Sequence, residues 1–477
     1  MRFIGNDPKT PRQTQVVASG TLSTGDTVVV NSDGTVSAVA GVAGATGTAT
    51  TYNSASTKTP TAAYDTTNDK VVLVYNDDNV GNAVVGTISG TSITFGTEVR
   101  FNPTYSSLYT DAVYDPDTGK IVIVYRDGTA VGECVIGTVS GTSISFGTPV
   151  TFNSGATSWC KVAYDTTNDK VVIAYRDDAV SDGHAIVGTV SGTSISFGTE
   201  VDFEASGVSF GTGDPLEIAF DSNSSKIVIA YRDSGNSNYG SAIVGTVSGT
   251  SISFGTKTTF ASEAVDWLTM DFDTTNNKFL IMYDAGASAG KGIVGTVSGT
   301  SISFGTAATF KSTSVDDIKV VYGTSEKFFT FIFEDVSDGN DGKLNTATIS
   351  GTSVTFGTET TIETGLFYNA GIGYDPDNGQ VIALFGEAAA EDGQYLIYKH
   401  ATTNITTENY IGTAQTGAGD GNGAVVNITG AIDENQSGLT AGQSYYVQND
   451  GSLGTTAADP SVFAGTAVSA SKLIVKG

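Results

Sequence analysis

Short apolar segments recur along this chain, and polar turns separate them. In residues 159–203, the run 171–175 is continuously apolar, which is typical of a strand buried on both faces. The segment 195–203 instead places apolar residues or Thr at every second position, which predicts a strand with one solvated face. No long segment has the i, i+3, i+4 spacing of an amphipathic helix. The pattern predicts an all-β protein.

Two phrases repeat through most of the sequence. The first, close to Gly-Thr-Val-Ser-Gly-Thr-Ser-Ile-Ser-Phe-Gly-Thr, ends on a Phe-Gly step that recurs at Phe95, Phe146, Phe197, Phe254, Phe304 and Phe356. The second, an aromatic residue followed by Asp and five residues later by Lys, precedes each apolar run; its aspartates are Asp65, Asp115, Asp165, Asp221, Asp273 and Asp375, with Gly323 at the sixth place. Together the phrases define seven units with a period of 50 to 56 residues.

Each unit contains four predicted strands, named a to d here. In the third unit they cover residues 159–164, 170–176, 184–190 and 195–203. Four strands in about 50 residues, repeated seven times, is the pattern of a β-propeller. We therefore predict a seven-bladed propeller over residues 42–408.

A strand-d sequence also stands before the first unit. Residues 47–54, Gly-Thr-Ala-Thr-Thr-Tyr-Asn-Ser, match residues 147–154, Gly-Thr-Pro-Val-Thr-Phe-Asn-Ser. We expect residues 46–52 to complete the last blade, 374–399, and so to close the ring without open strand edges. Residues 403–408 are the alternative source of that strand.

The seven units differ in their b–c and d–a loops, while the a–b and c–d turns hardly change. In an antiparallel blade, the b–c and d–a loops lie on one face, called the variable face below. The b–c loops at 127–132, 177–183, 233–240 and 334–342 differ in length and polarity. Because loops on rigid supports tend to carry recognition, the variable face is the expected binding surface.

The terminal segments do not belong to the repeat. Residues 15–41 have the pattern of a small hairpin, with Asp33-Gly34 suited to a tight turn, and residues 409–477 that of a compact β module. Since neither has much core of its own, we expect them to form one small base domain, a β-sandwich or barrel. Residues 1–14 are predicted to be an N-terminal arm.

The terminal sequences carry a family resemblance. The string Gln-Ser-Gly-Leu-Thr-Ala-Gly-Gln-Ser-Tyr-Tyr-Val-Gln-Asn-Asp-Gly-Ser-Leu at 436–453, the end at 464–477 and the start Phe-Ile-Gly-Asn-x-Pro at 3–8 resemble virion structural and tail-fibre-like proteins of marine bacteriophages. The repeat is similar to repeats in such proteins.

This resemblance implies a virion protein that is assembled in the bacterial cytoplasm. The expected partners are other virion proteins, contacted through the base domain, and a host-surface glycan, contacted through the propeller. We expect many copies on each particle, either as single chains or as homo-oligomers. A decoration protein of head or tail that binds no ligand is the alternative, and tail and capsid locations both stay open.

Charge and hydropathy exclude other classes of function. Acidic residues number 50 and basic residues 23, which gives a net charge of −27 and disfavours nucleic-acid binding. No apolar run approaches the ~20 residues of a membrane helix, and the N-terminus lacks a signal-peptide core, so we expect a protein folded in the cytosol without membrane insertion. Cys134 and Cys160 are expected to be buried free thiols.

Five side chains on the variable face are candidate ligand contacts. Arg126, Arg176 and Arg232 end their predicted strands b in Tyr-Arg-Asp steps, and guanidinium groups suit the carboxylates of acidic sugars. Trp159 and Tyr239 offer aromatic faces for sugar rings. The alternative for the arginines is structural pairing with aspartates of neighbouring blades.

Metal and catalytic sites have weaker sequence support. The loop with Asp335, Asp338, Asn340 and Asp341 is rich in oxygen ligands and is the candidate calcium site; no other cofactor is expected. The two histidines, His184 and His400, form no recognisable triad or metal set. We therefore expect no enzyme, with a glycan-cleaving pair of carboxylates as the remaining catalytic alternative.

Overall fold

The computed structural model describes residues 12–42, 44–77, 80–205, 207–208, 213–286, 289–387, 392–458 and 460–476. Most of the predicted N-terminal arm, residues 1–11, lies outside the described residues. The chain divides into two compact units, Thr46–Lys399 and a unit built from residues 1–45 and 400–477. Among the described residues, no helix has the length and apolar character needed to cross a membrane.

The larger unit is a seven-bladed β-propeller of antiparallel sheets. The inner strands a are Thr50–Asp65, Val99–Asp115, Thr157–Asp165, Leu216–Asp221, Asp266–Asp273, Val315–Gly323 and Phe367–Asp375. The strands b are Lys70–Asp77, Lys120–Asp127, Lys170–Asp177, Lys226–Asp233, Lys278–Asp284, Phe328–Asp335 and Gln380–Glu387. The strands c are Val80–Ser89, Gly132–Ser140, Asp182–Ser191, Tyr239–Ser248, Gly290–Ser298, Asp341–Ser350 and Asp392–Lys399.

The outer strand d is shorter than predicted, because it is broken in two. Its first pieces are Ser92–Phe95, Ser143–Phe146, Ser194–Phe197, Ser251–Phe254, Ser301–Phe304 and Ser353–Phe356. Separate second pieces are Val150–Asn153, Val201–Glu204, Thr258–Ala264, Ala308–Lys311 and Thr360–Glu363. Both pieces pair with strand c, and the break follows the Phe-Gly step. Short 3₁₀ helices occupy Ser234–Asn236 and Val336–Asp338 in two b–c loops.

The break in strand d lets neighbouring blades approach each other closely. A Cβ added to Gly147 would lie 1.9 Å from the carbonyl oxygen of Thr193, in the c–d turn of the next blade. Four further Phe-Gly steps repeat this contact: Gly96 with Thr142, Gly198 with Thr250, Gly255 with Thr300 and Gly305 with Thr352. Only glycine leaves room for this backbone approach, which explains why the phrase recurs almost unchanged.

The predicted ring closure is confirmed. Strand c of the last blade, Asp392–Lys399, pairs with residues of the N-terminal strand Thr50–Asp65, in a register that sets Gln394 opposite Thr51 and Tyr395 opposite Thr50. The short strand Ala45–Thr46 pairs with the same strand c. The rival segment contributes Thr402–Thr403, which pair with Gly41–Val42 instead.

Blade seven contacts blade one through side chains as well as through this strand. Gln380 donates to the carbonyl of Gly90 (2.7 Å), and the Tyr395 hydroxyl accepts from the backbone N–H of Ile93 (3.0 Å). Gly47 takes the place of a Phe-Gly step, since a Cβ there would lie 2.8 Å from the Thr91 carbonyl oxygen. The step from blade seven to blade one therefore repeats the contact seen at five of the Phe-Gly steps.

The recurrent aspartates fix the a–b turns. Asp165 accepts from the backbone N–H groups of Thr167 (2.9 Å) and Asn168 (3.0 Å), and from the Asn168 side chain (2.8 Å). Asp65, Asp115, Asp221, Asp273 and Asp375 make the same local hydrogen bonds. Because a buried carboxylate satisfies otherwise unpaired donors, these turns hardly vary between blades.

The smaller unit is a sandwich of two five-stranded sheets. One contains Gln13–Val17, Gly423–Asn427, Tyr410–Ala414, Thr27–Val30 and Val36–Ala38, so both chain ends contribute to it. The other contains Ile432–Asp433, Lys472–Val475, Val462–Ser469, Ser444–Val447 and Leu453–Gly454. Side chains of both sheets share one core, which includes Val29, Tyr410, Val447 and Leu473.

Ring closure can be tested with an engineered disulfide. In the variant T51C/Q394C the two residues are directly opposed across an antiparallel pair, a separation within the range a disulfide spans, so the bond should form under mild oxidation. Peptide mapping by mass spectrometry under non-reducing conditions measures it. The matched variant Q394C/T403C should stay reduced; a crosslink there, and none in T51C/Q394C, would contradict the closure.

The blade contact can be tested at one glycine. Gly147→Ala should lower the free energy of unfolding by about 1–3 kcal/mol, because the new Cβ overlaps a backbone oxygen that cannot move freely. Urea denaturation measures the loss. In the control Gly155→Ala the new Cβ would meet the movable Asn153 side chain at 3.3 Å, so little change is expected. Equal losses in both variants would show that the interblade approach is not tight.

Candidate functional site

The inner strands surround the axis of the propeller, and most of them carry a bulge near the variable face. Each strand a contacts the strands a of the two neighbouring blades, which closes a ring of seven. In six blades the a–b pairing shifts register near the start of strand a. The bulged residue has a positive φ in each: Thr59, Tyr109, Trp159, Trp267, Asp317 and Asn369.

Such a conformation is unusual for four of these residues, Thr59, Tyr109, Trp159 and Trp267, whereas Asp and Asn adopt it more readily. A β-branched or bulky residue at positive φ is a genuine outlier, and strain of this kind clusters at functional sites. Blade four has Pro215 at the equivalent position, whose ring forbids a positive φ, and there strand a pairs without a register shift. The six bulges direct backbone and side chains toward the axis.

A cavity of about 380 Å³ lies at this point in the central channel. All seven strands a line it, and so do all six bulged residues. The rings of Tyr109 and Trp159 contact each other with centroids 4.5 Å apart. Trp267 packs on the backbone of Gly213, where an added Cβ would lie 2.5 Å from the indole ring. The cavity thus has aromatic walls on two sides of blade four.

The floor of the cavity is charged. The position in strand a that lies four residues before the end of the strand carries Asp111 in blade two, Lys161 in blade three and Glu217 in blade four. The same position in blade six carries Lys319. Lys161 Nζ lies 3.4 Å from Glu217 Oε2 and 3.6 Å from Asp214 Oδ2, and Lys319 also binds Asp214. These charges are largely buried, so they hold a fixed geometry in the absence of any ligand.

Burial changes the proton affinity of the cavity carboxyls. It raises the pKa of Glu217 to about 7, against the attraction of Lys161, and that of Asp317 to about 7, against the attraction of Lys319. Burial also raises the pKa of Asp111. Asp214 shifts the other way: although burial opposes it, the ammonium groups of Lys161 and Lys319 lower its pKa. Near pH 7, Glu217 and Asp317 are therefore partly protonated, whereas Asp214 is ionised.

The predicted arginine cluster does not form a shared anion site. Arg176 is 1% exposed and donates to the carbonyl of Val208 (2.7 Å), to Ser181 (2.8 Å) and to Asp178. Arg176 therefore links the b–c loop of blade three to the d–a loop that leads into blade four. Sequence reasoning missed this role because the partners depend on loop conformation.

The other predicted contacts are dispersed. Arg232 pairs with Asp266 of the next blade, which is the structural alternative considered for the arginines. Arg126 lies over the Tyr109 ring, with Cζ 5.9 Å from the centroid, and so supports the cavity rim from behind. Tyr239 begins strand c of blade four, opposite Asp233 and outside the cavity lining. Of the five residues, only Trp159 lines the cavity.

Lysine side chains bind the carboxylates of the candidate calcium loop. Lys343 Nζ lies 2.6 Å from Asp338 and 3.0 Å from Asp341, and Lys311 lies 2.5 Å from Asp335. Asn340 has a positive φ and donates its backbone N–H to the Asp335 carbonyl. Among the described residues, no group of three or more His, Cys, Asp or Glu side chains is placed to hold a metal. The expectation of calcium here is not supported, because ammonium groups already neutralise the carboxylates.

Both cysteines are buried free thiols, as expected. Cys160 lines the cavity behind Trp159, and burial raises the pKa of its thiol, as it does for Cys134. A protonated, buried thiol is a poor nucleophile. Cys160 therefore contributes packing to the cavity wall.

Comparison with known proteins adds little to this geometry. No family model and no curated protein matches the chain. Among solved structures, "Structure of Dos1 propeller" is 12% identical with a TM-score of 0.46, covering 75% of this chain and 95% of that one. "Crystal Structure of Mitotic Checkpoint Complex" is 11% identical with a TM-score of 0.45, covering 84% and 99%. The assignment of seven blades rests on the strand pairing itself.

The raised pKa values predict how stability depends on pH. Between pH 5 and 7 the folded chain keeps protons on Glu217 and Asp317 that the unfolded chain has released, since their ordinary pKa values are 4.5 and 3.8. The contribution of these groups to the free energy of unfolding therefore falls as the pH rises through this window, and is constant above pH 8.

The double variant E217Q/D317N should remove this part of the pH dependence, about 2–3 kcal/mol for each group between pH 5 and 8. Urea denaturation at both pH values measures it. Asp117→Asn, which removes an exposed carboxyl in an a–b turn, should leave the dependence unchanged. A double variant with the slope of the wild type would contradict the assignment.

Proposed function

We propose that this chain is a bacteriophage virion protein whose propeller attaches the particle to a saccharide on the host surface, without cleaving it. The base domain would hold the protein on the particle by contacting other virion proteins. The chain would then act as an appendage or fibre component, present in many copies.

The observation that carries this proposal is the aromatic cavity at the variable-face end of the channel. Trp159, Tyr109 and Trp267 offer flat apolar faces, and sugar rings bind such faces through their C–H groups. Carboxylates, ammonium groups and hydroxyls in the same cavity can hydrogen-bond sugar hydroxyls. A small apolar site with a few fixed polar groups is the usual form of a ligand pocket.

The organisation of the chain also supports a binding role. The outer parts of the blades repeat one sequence, whereas the first residues of the strands a and the adjoining loops differ from blade to blade. Variation confined to one end of a rigid scaffold is typical of recognition surfaces. Because the net charge is −27, a negatively charged polymer such as nucleic acid is a poor partner.

Binding at one cavity would be weak, and attachment would depend on multiplicity. A single aromatic contact contributes about 0.5–1.5 kcal/mol beyond its buried area, whereas linked copies raise the apparent affinity by about 10²–10⁴. We therefore expect beads that display many copies to bind bacterial-surface polysaccharides on an array. The single protein should bind the same spots weakly.

Trp159→Ala and Trp267→Ala should each weaken bead binding about three- to tenfold, because each removes a stacking surface of the cavity. Circular dichroism establishes that the variants fold, and Trp267→Phe, which keeps a ring, should retain most of the binding.

The control is Leu366→Ala, which removes an exposed side chain on the same face but outside the cavity and should leave binding unchanged. If wild-type beads bind no saccharide, attachment is wrong and a ligand-free decoration protein takes its place. If bound polysaccharide is shortened, the non-catalytic assignment is wrong.

A further inference from the structure

The cavity contains more carboxyl groups than ammonium groups. Its charged lining consists of four carboxyl groups and two ammonium groups, from Asp111, Asp214, Glu217, Asp317, Lys161 and Lys319. Both lysines are within 4 Å of Asp214, and Lys161 is also close to Glu217. Within the part of the chain that the structure describes, no ion pair joins Asp111 or Asp317 to a lysine or arginine.

Carboxyl groups without an ion-pair partner among the described residues lie close together around Asp317. This residue is 7% exposed, and its carboxylate is fixed by the backbone N–H of Asn369 at 2.9 Å. Asp316 precedes it, and Glu334 lies opposite Asp316 in the strand pair. Burial and the charges of Asp317 and Asp316 raise the pKa of Glu334 to about 8, as expected where carboxyls lack a cation.

An aromatic face lies beside this acidic group. The side chain of Trp267 hydrogen-bonds Asp316, which connects the indole to the acidic side of the cavity. A cation between a carboxylate and a tryptophan face gains both a charge-assisted hydrogen bond and a cation–π contact.

Hydrogen-bonding groups in the cavity also lack partners. The hydroxyl of Thr110, a residue only 7% exposed, and the indole nitrogen of Trp159 line the cavity and have no hydrogen-bond partner among the described residues. A buried polar atom without a partner costs stability unless a ligand or water satisfies it. These groups sit across the cavity from Asp317, on blades two and three.

We propose that the cavity binds an amino sugar, with the sugar ring against Trp267 and the ammonium group on the carboxylate of Asp317. This inference rests on the proposed function, because it names the ligand of the same site. Sugar hydroxyls would satisfy Thr110 and the Trp159 indole. Of the three arginines that would suit an acidic sugar, Arg176 and Arg232 pair with Asp178 and Asp266, and Arg126 lies over the Tyr109 ring.

A matched pair of ligands tests the proposal on the full chain. The methyl glycosides of glucosamine and N-acetylglucosamine share one ring, but only the first carries an ammonium group. The chain has two tryptophans, and both line the cavity, so their fluorescence reports occupancy without a label. At pH 7 the amino sugar should bind about ten- to a hundredfold more tightly than its acetylated partner, the factor expected for one charged hydrogen bond.

Asp317→Asn should abolish this preference while binding of the acetylated sugar persists, because asparagine tolerates the positive φ and keeps a hydrogen-bonding group. Asp117→Asn, far from the cavity in an a–b turn, should keep the preference. Equal binding of the two sugars by the wild type, or a preference that survives Asp317→Asn, would overturn the proposal. If Asp317→Asn fails to fold, the comparison of the two sugars with the wild type still decides it.

The outcomes separate this inference from the proposed function. Beads that bind surface polysaccharides but are not displaced by the amino sugar would refute the amino-sugar site and leave attachment standing. If tryptophan fluorescence shows a tenfold preference for the amino sugar but the beads bind no polysaccharide, the amino-sugar site would stand and attachment would be refuted.

Discussion

The close approach of backbones between neighbouring blades is the constraint on which the rest of the structure depends. At Gly147 and its four equivalents, a main chain passes so near to the carbonyl of a threonine in the next blade that no side chain fits. The repeated phrase supplies this approach at five steps around the ring, and Gly47 supplies it once more against Thr91, where the chain closes on itself. The step from blade six to blade seven is the exception, because a Cβ added to Gly357 would meet Thr346 and Asn345 of its own blade.

This constraint explains why one part of each blade repeats from blade to blade while another part differs. Residues in the Phe-Gly phrase and the a–b turns hold the ring, and they repeat. The position six residues before the end of each strand a makes none of these contacts between blades. It is occupied in turn by Thr59, Tyr109, Trp159, Pro215, Trp267, Asp317 and Asn369. The scaffold thereby presents seven side chains of six kinds at one level of the channel, as a site selective for one ligand would need.

The fold was largely predictable from the sequence, because its determinants are local and repeated. The aspartate turns, the continuous apolar strands b and the match between residues 47–54 and 147–154 are each visible in a short window, and all survive in the structure. The break in strand d was not predicted, since its cause lies in the adjacent blade. An apolar alternation continues through Thr199 even though the hydrogen-bonded ladder does not.

The candidate site was less predictable for the same physical reason. Trp159 was found as an aromatic side chain on the variable face, but its positive φ and its neighbours follow from the ring. Arg176 and Arg232 form motifs in sequence, yet they pair with Asp178, two residues further along the chain, and with Asp266, which lies near Arg232 only after folding. Aligning the seven units by their a–b turns would have shown that Tyr109, Trp159 and Trp267 share one position. It would also have shown that charges of opposite sign alternate at a second position, with Asp111, Lys161 and Glu217.

The strained bulges argue that the cavity is kept for a purpose beyond stability. A left-handed conformation costs about 1–2 kcal/mol for an ordinary L-residue, and four strands a accept that cost at the same level, at Thr59, Tyr109, Trp159 and Trp267. A proline at this position is compatible with the ring, as blade four shows, so the bulges are not needed for closure. Because the surrounding sheets fix these backbones, the rim side chains lose little further freedom when a ligand binds. Under the proposed function, a preorganised rim of this kind would give a weak single site its specificity, while the number of copies on a particle would determine how firmly the particle attaches.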